Sequence, residues 1–213
     1  MPLPTIHLIA AQKIAHAADY SLSSRYLLGS IAPDAIHMRP KCTREWKDRT
    51  HLRIPKWADA WANSIDLLEN SAGNSFLVGC ALHNMLDKLW VEGPWRAFRA
   101  ALPADMVERE WKQIYYQDMN IVDRWFSRQP EGRQLWNAVM HAPVTEYLDM
   151  VSASEVSLWR RECFDKFSAE RPFMQAQLIT VEVTQTFIEE AAEELGGILK
   201  QISASKNAED EHR

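Results

Sequence analysis

Between Ser75 and Val91 the chain reads SFLVGCALHNMLDKLWV, with apolar side chains on nearly every side of a helix. A helix without a polar face has to be enclosed by others, so this segment predicts the centre of a helical bundle. The remainder of the chain agrees with that demand. Glycine is scarce, 7 in 213 residues, no alternating β-branched segment stands out, and apolar residues recur at helical spacing along much of the length. The fold class read from the sequence is therefore all-α. A single multi-helix domain is expected over residues 1–202, followed by a polar tail at 203–213 that should fray.

Periodicity and punctuation place the elements. Ile6, Ile9, Ala10, Ile14 and Ala17 give a first helix one apolar face, with His7 at its start. Ser21 to Leu28 predicts a short second helix ended by Gly29. The stretch from Ser30 to Pro55 holds Pro33, Pro40 and Pro55 among many polar residues, and reads as a long structured loop with room for one helical turn. A helix over about Lys56–Glu69 and a turn capped by Ser71 or Asn74 lead into the central helix, with Gly93-Pro94 as its stop. Later helices are expected at Met106–Arg128, Glu131–Met140, Ser154–Ser168 and Met174–Ile202.

Charge and composition narrow the function classes. A formal net charge of -5 and a pI near 5.8 leave no broad electropositive footprint, which argues against duplex nucleic acid as a partner. No run approaches the length of a transmembrane helix, and the opening MPLPTIHLIAAQKIAHAADY lacks a basic leader, so the expected location is the cytoplasm. Cys42, Cys80 and Cys163 are odd in number and contain no CxxC, so neither a disulfide framework nor a thiolate zinc knuckle is expected; Cys80 reads as a small core residue. GxSxG, HExxH and phosphate-cradling glycine loops are all missing. The stripe Glu189, Glu190, Glu193 and Glu194 reads as a solvated face.

Against this background His83 and Asp87 stand out. Four residues apart on the central helix, they project from one face, with Gly79 a turn earlier where a missing side chain lets another segment approach. A histidine bonded to a neighbouring aspartate in the core would have the same spacing. An ionised aspartate in so apolar a helix is costly without compensation, however, and a metal ion is one of the few strong compensations. Imidazole plus carboxylate suits zinc, and iron, manganese or nickel would also be accepted. Pro33 and the restricted Ala32 before it present Asp34 at a bend after a helix, where it is either a ligand or a cap. His51 after Thr50, His37 and His7 are further candidates, each equally readable as an ordinary surface or core histidine.

Taken in order, His7, the pair Pro33-Asp34, the pair Thr50-His51 and the GxxxHxxxD from Gly79 to Asp87 resemble the zinc-dependent phospholipase C family, an all-helical superfamily that includes the fungal-type single-strand nucleases. The stretch LGSIAPDAIHMR is similar to the short bacterial hydrolases of that superfamily, and the likeness covers roughly the first 90 residues. The resemblance implies that Asp34, His51, His83 and Asp87 hold one metal ion, that His7 binds a neighbouring ion bridged by Asp87, and that Asp34 is also the general base. It implies a phosphodiesterase or phosphomonoesterase acting on a small phosphate-ester or phospholipid-derived substrate through metal-activated water.

Three departures bear on the metal count. The secreted enzymes begin with a tryptophan whose amine binds metal, whereas this chain begins Met1-Pro2; and their later His and HxxxE have no clear counterpart, since His141 and Glu146 are five apart across Pro143 and the other histidine, His212, lies in the tail. One or two ions are expected rather than three, with Asp118 or Asp123 as possible helpers. Trp57, Trp61, Trp90 and Trp95 read as core packing before a lipid- or base-lined cleft. The alternative to an enzyme is a non-catalytic metal-binding, sensing or scaffold protein on the same helices. A phosphohydrolase of the HD type is disfavoured, because no adjacent His-Asp pair occurs.

Overall fold

The computed structural model describes residues 1–54, 59–71, 73–168 and 175–210 of the chain, side chains at 207–210 excepted. It is all-α: the described residues contain no strand, only an isolated bridge between Tyr147 and Val151. The helices are α1 (Pro4–Ala17), α2 (Ser24–Gly29), α3 (Arg44–Thr50), α4 (Ala60–Asn70), α5 (Ser75–Trp90), α6 (Arg96–Ala100), α7 (Glu108–Arg128), α8 (Pro130–His141), α9 (Ala153–Ser168) and α10 (Val181–Asp210), with a 3-10 turn at Pro33–Met38. Lys56, Trp57 and Met174, where two expected helices were to begin, lie outside the described residues.

Two helices share the centre. In α5, Phe76, Val78, Cys80 through Asp87 and Trp90 are buried, and α1 is buried from Pro4 through Ala11 and again at Ile14 and Ala15. Around them, α2 and α4 pack on α5, while α7, α8 and α10 pack on α1. Local chemistry starts these helices where sequence rules allow. Pro4 opens α1, where a missing N–H costs nothing. Side chains of Ser23, Thr43 and Asn74 accept amides from Tyr26, Trp46 and Leu77 as N-caps of α2, α3 and α5. Trp90 and Trp95 are packing residues, with Trp90 fully buried and Trp95 set edge-on to Trp111 and Tyr115. Glu189, Glu190, Glu193 and Glu194 face solvent.

Three expectations are corrected. The segment from Ser30 through its described residues to 54 holds two short helical elements rather than one turn, the 3-10 turn and α3; each is too short to repeat an apolar spacing, and α3 is almost wholly polar besides. Gly93-Pro94 does not stop the central helix. A π turn over Val91–Trp95 takes in Pro94, whose nitrogen has no hydrogen to donate, and the chain stays helical into α6. The last helix begins at Val181 because the Asp118 carboxylate accepts the amides of Gln177, Leu178 and Ile179 at 2.9, 2.8 and 3.0 Å, holding that stretch out of a helix. It then runs past Ile202 to Asp210, so the tail is helical over most of its length.

Candidate metal centre

The five residues singled out in the sequence converge. His7 lies in the first turn of α1, Asp34 is the second residue of the 3-10 turn, His51 caps the C-terminus of α3, and His83 and Asp87 project from one face of α5. The crossing of α2 and α5 makes this possible. A Cβ on Gly79 would overlap the carbonyl oxygen of Tyr26 and sit 2.8 Å from the Ser30 amide nitrogen, and a Cβ on Gly29 would overlap the Phe76 carbonyl. The two backbones therefore touch, as the space at Gly79 suggested, and the contact brings the Ser30 carbonyl to the His83 ring.

That carbonyl settles which nitrogen of His83 is free. Nδ1 of His83 lies 2.8 Å from the Ser30 oxygen, and Nδ1 of His51 lies 2.8 Å from the Lys47 oxygen. A carbonyl only accepts, so each Nδ1 carries the hydrogen, and in the neutral ring each Nε2 presents a lone pair. The lone pair of His51 faces Asp34 Oδ1 at 3.3 Å and Asp87 Oδ2 at 3.6 Å, and that of His83 faces Asp87 Oδ2 at 3.9 Å. Lone pairs aimed at carboxylate oxygens repel unless a cation lies between them. None of His51 Nε2, His83 Nε2, Asp34 Oδ1 and Asp87 Oδ1 has a hydrogen-bond partner, although all are buried. Buried orphaned polar atoms are rare and each calls for an explanation.

The spacing supplies one. A tetrahedral ion with bonds of about 2.0–2.2 Å has ligand–ligand edges of about 3.3–3.6 Å. Three of the six edges among Asp34 Oδ1, His51 Nε2, His83 Nε2 and Asp87 Oδ2 measure 3.3, 3.6 and 3.9 Å, two of them within that range. Possible metal-holding groups are Asp34 with His51 and His83, and His7 with His83 and Asp87. The His7 ring stacks on His83 at 4.0 Å, with its Nε2 3.5 Å from Asp87 Oδ1.

Burial works against charge here, and the cluster answers it. Burial raises the Asp34 and Asp87 carboxyls, but hydrogen bonding and positive charge from the imidazole side, from His51 at Asp34 and from His7 at Asp87, outweigh it and hold both below the ordinary carboxylate range; a bound cation would supply the same field. Burial lowers His83 to about 3, so its ring is neutral at pH 7 and ready to bind a cation. His37 stands at the rim with Nε2 3.8 Å from Asp34 Oδ1 and its side chain 39% exposed.

Other candidates lie elsewhere. His141 is on the exposed end of α8, its Nδ1 2.8 Å from the Asn137 carbonyl, beside a cavity of about 600 Å³. Asp118 holds the backbone before α10, and Asp123 on α7 accepts the Ile6 amide at 3.0 Å, capping α1 from outside. The sequence reading missed Arg53, whose Nη2 lies 3.2 Å from Asp87 Oδ2; a basic residue two positions after His51 carries no local signal of that contact. The amine of Met1 donates to the Tyr115 hydroxyl at 2.6 Å, and burial lowers its pKa.

Asp123 yields a prediction of its own. Burial raises its carboxyl to about 7, against hydrogen bonds from Thr5 and Ile6 that lower it. The folded chain then keeps a proton that the unfolded chain releases above its ordinary value of 3.8. Stability contributed by this group is full below that value, falls by on the order of 4 kcal/mol as pH rises from about 4 to about 7, and stays flat above. Asp123→Asn retains an oxygen for the Ile6 amide and removes the titration. Urea unfolding at pH 4.5 and 7.5 should show the variant gaining on the native chain as pH rises, and an unchanged difference would refute the assignment.

No helix among the described residues is long and apolar enough to cross a membrane. Comparisons with protein-family models, curated proteins and solved structures find no match, so the interpretation of this centre rests on its own donors and their geometry.

Proposed function

We propose that the chain is a metal-dependent hydrolase of phosphoric esters, with one divalent ion, zinc as first choice, held by Asp34, His51, His83 and Asp87. The observation that carries the metal is the pair of imidazole lone pairs aimed at carboxylate oxygens with only 3.3–3.9 Å between them. The ester class follows from the order of His7, Pro33-Asp34, Thr50-His51 and GxxxHxxxD, which resembles the zinc-dependent phospholipase C family. When bound, such an ion activates water and stabilises charge on a phosphoryl oxygen.

The protein's own groups divide the remaining work. Among the ligands Asp34 alone has appreciable exposure, 8% against 1–2% for the rest, so substrate and water reach the centre past this carboxylate. There the 3-10 turn meets α9, which Arg39 clamps through two hydrogen bonds to Glu155 at 2.8 and 2.9 Å. Asp34 stays ionised at neutral pH and serves as the acceptor that orients the attacking water. His37 beside it, its pKa lowered chiefly by burial, is neutral at pH 7 and able to take up a proton at the rim.

A second reading has its own support. Four protein donors at such low exposure are the makeup of a closed, structural metal site, which would make the chain a metal-binding scaffold or sensor. Metal-reconstituted protein assayed on bis(p-nitrophenyl) phosphate and p-nitrophenyl phosphate separates the two. The hydrolase reading expects turnover that is lost on chelation and restored by metal. It also expects kcat to fall on the order of 100-fold or more in Asp34→Asn, with the ion content measured in parallel. Full metal occupancy without turnover on any ester would favour the scaffold.

A further inference from the structure

The acidic pocket already contains a cation of its own. Arg53 follows α3, and its side chain is 9% exposed, with Nη2 3.2 Å from Asp87 Oδ2 and Nη1 3.8 Å from Asp48 Oδ1. We infer, resting on the metal reading above, that the centre is built for a single divalent ion and that the Arg53 guanidinium, on the Oδ2 side of Asp87, supplies the positive charge that a second cation would otherwise bring.

Donor arithmetic points the same way. The two metal-holding groups share His83. Its Nδ1 is committed to the Ser30 carbonyl, so only Nε2 can bind, and one lone pair binds one ion. Once Asp34, His51, His83 and Asp87 Oδ2 serve the first ion, the set around His7 retains only His7 and Asp87 Oδ1. Zinc sites use at least three protein ligands, so two donors fall short. His7 then acts as a positioning residue, stacked on His83 and facing the outer oxygen of Asp87.

Charge balance agrees. Asp34, Asp87 and Asp48, which Arg53 also faces, bring three negative charges and Arg53 one positive. A single divalent ion carries the sum to zero, and a second ion would leave two positive charges in a largely buried pocket. An arginine suits the stand-in role because its charge does not titrate away in the working range.

The test is metal stoichiometry. Full-length protein is stripped with a chelator, reloaded with zinc or manganese, desalted, and measured by elemental analysis and by calorimetric titration with the metal alone. One tightly held equivalent is expected in the native chain, and still one in His7→Ala. Arg53→Met, similar in length but uncharged, should still hold one equivalent and bind it at least tenfold more tightly. Two equivalents in the native chain, falling to one in His7→Ala, would overturn the single-ion inference and leave the metal reading intact. Weaker binding in a folded Arg53→Met protein would show that the guanidinium merely pins Asp87, and would overturn its role as stand-in cation. No tight metal in the native chain would fail the metal reading itself.

Discussion

Saturating the candidate centre with a divalent ion should raise the melting temperature of this 213-residue chain by about 8–16 °C, and chelation should take the gain away. The size follows from linkage. An ion that binds the folded chain only, at a thousandfold excess over its Kd, adds about 4 kcal/mol, and a chain of this length gains about 2–4 °C per kcal/mol. The ligands make the estimate sensible, because in the absence of a cation the fold holds four lone-pair-bearing atoms face to face in a buried pocket. Loading therefore relieves repulsion as well as adding bonds. His83→Ala should abolish the shift, and its melting temperature should be unmoved by metal or chelator. Thermal unfolding followed by circular dichroism, with and without zinc or manganese, gives the answer; a metal-dependent shift of native size in His83→Ala would remove that residue from the ligand set.

Gly79→Ala should be more damaging than any ligand substitution. The added methyl has to enter space held by backbone atoms of Tyr26, Gly29 and Ser30, which cannot rotate away as a side chain would. The helices would have to separate, opening the core along Tyr26, Leu27 and Phe76 and drawing the Ser30 carbonyl off His83. A cost above about 4 kcal/mol, a large share of the stability of an ordinary domain, is expected, together with loss of metal binding. Gly197→Ala is the control. That glycine lies exposed within α10 with open space around it, so alanine there should stabilise by roughly 0.5–1 kcal/mol. Soluble yield and urea midpoints compare the two, and a Gly79→Ala protein with native midpoint would mean that α2 and α5 do not touch as described.

What could be read from the sequence followed from how far each signal reaches along the chain. His83 and Asp87 sit four apart on one apolar helix, so their shared face and the approach at Gly79 follow from helical geometry. Pro33 announces a bend at Asp34, although the 3-10 turn and α3 stay hidden because both are too short to show a repeat. Gly93-Pro94 has the pattern of a stop, and only the π turn shows how the helix absorbs it. In the sequence Asp118 and Asp123 read as possible helpers of the metal site, yet in the fold each accepts backbone amides from a distant part of the chain. Arg53 belongs to the same group: its partner on α5 comes from tertiary packing, which no local spacing encodes. Periodicity thus reaches the ligands and the helices, while contacts between a side chain and remote backbone escape it.

Asp118 also bears on how mutations in this protein are to be read. Its carboxylate sets where α10 begins, α10 lies along α1, and α1 carries His7. Damage at Asp118 would travel through two helices and register as a fault at His7, where no ligand has been touched. A screen that scores only metal retention would therefore draw the boundary of the centre too wide, and an aspartate that works as a distant hinge pin would be counted among those that hold the ion.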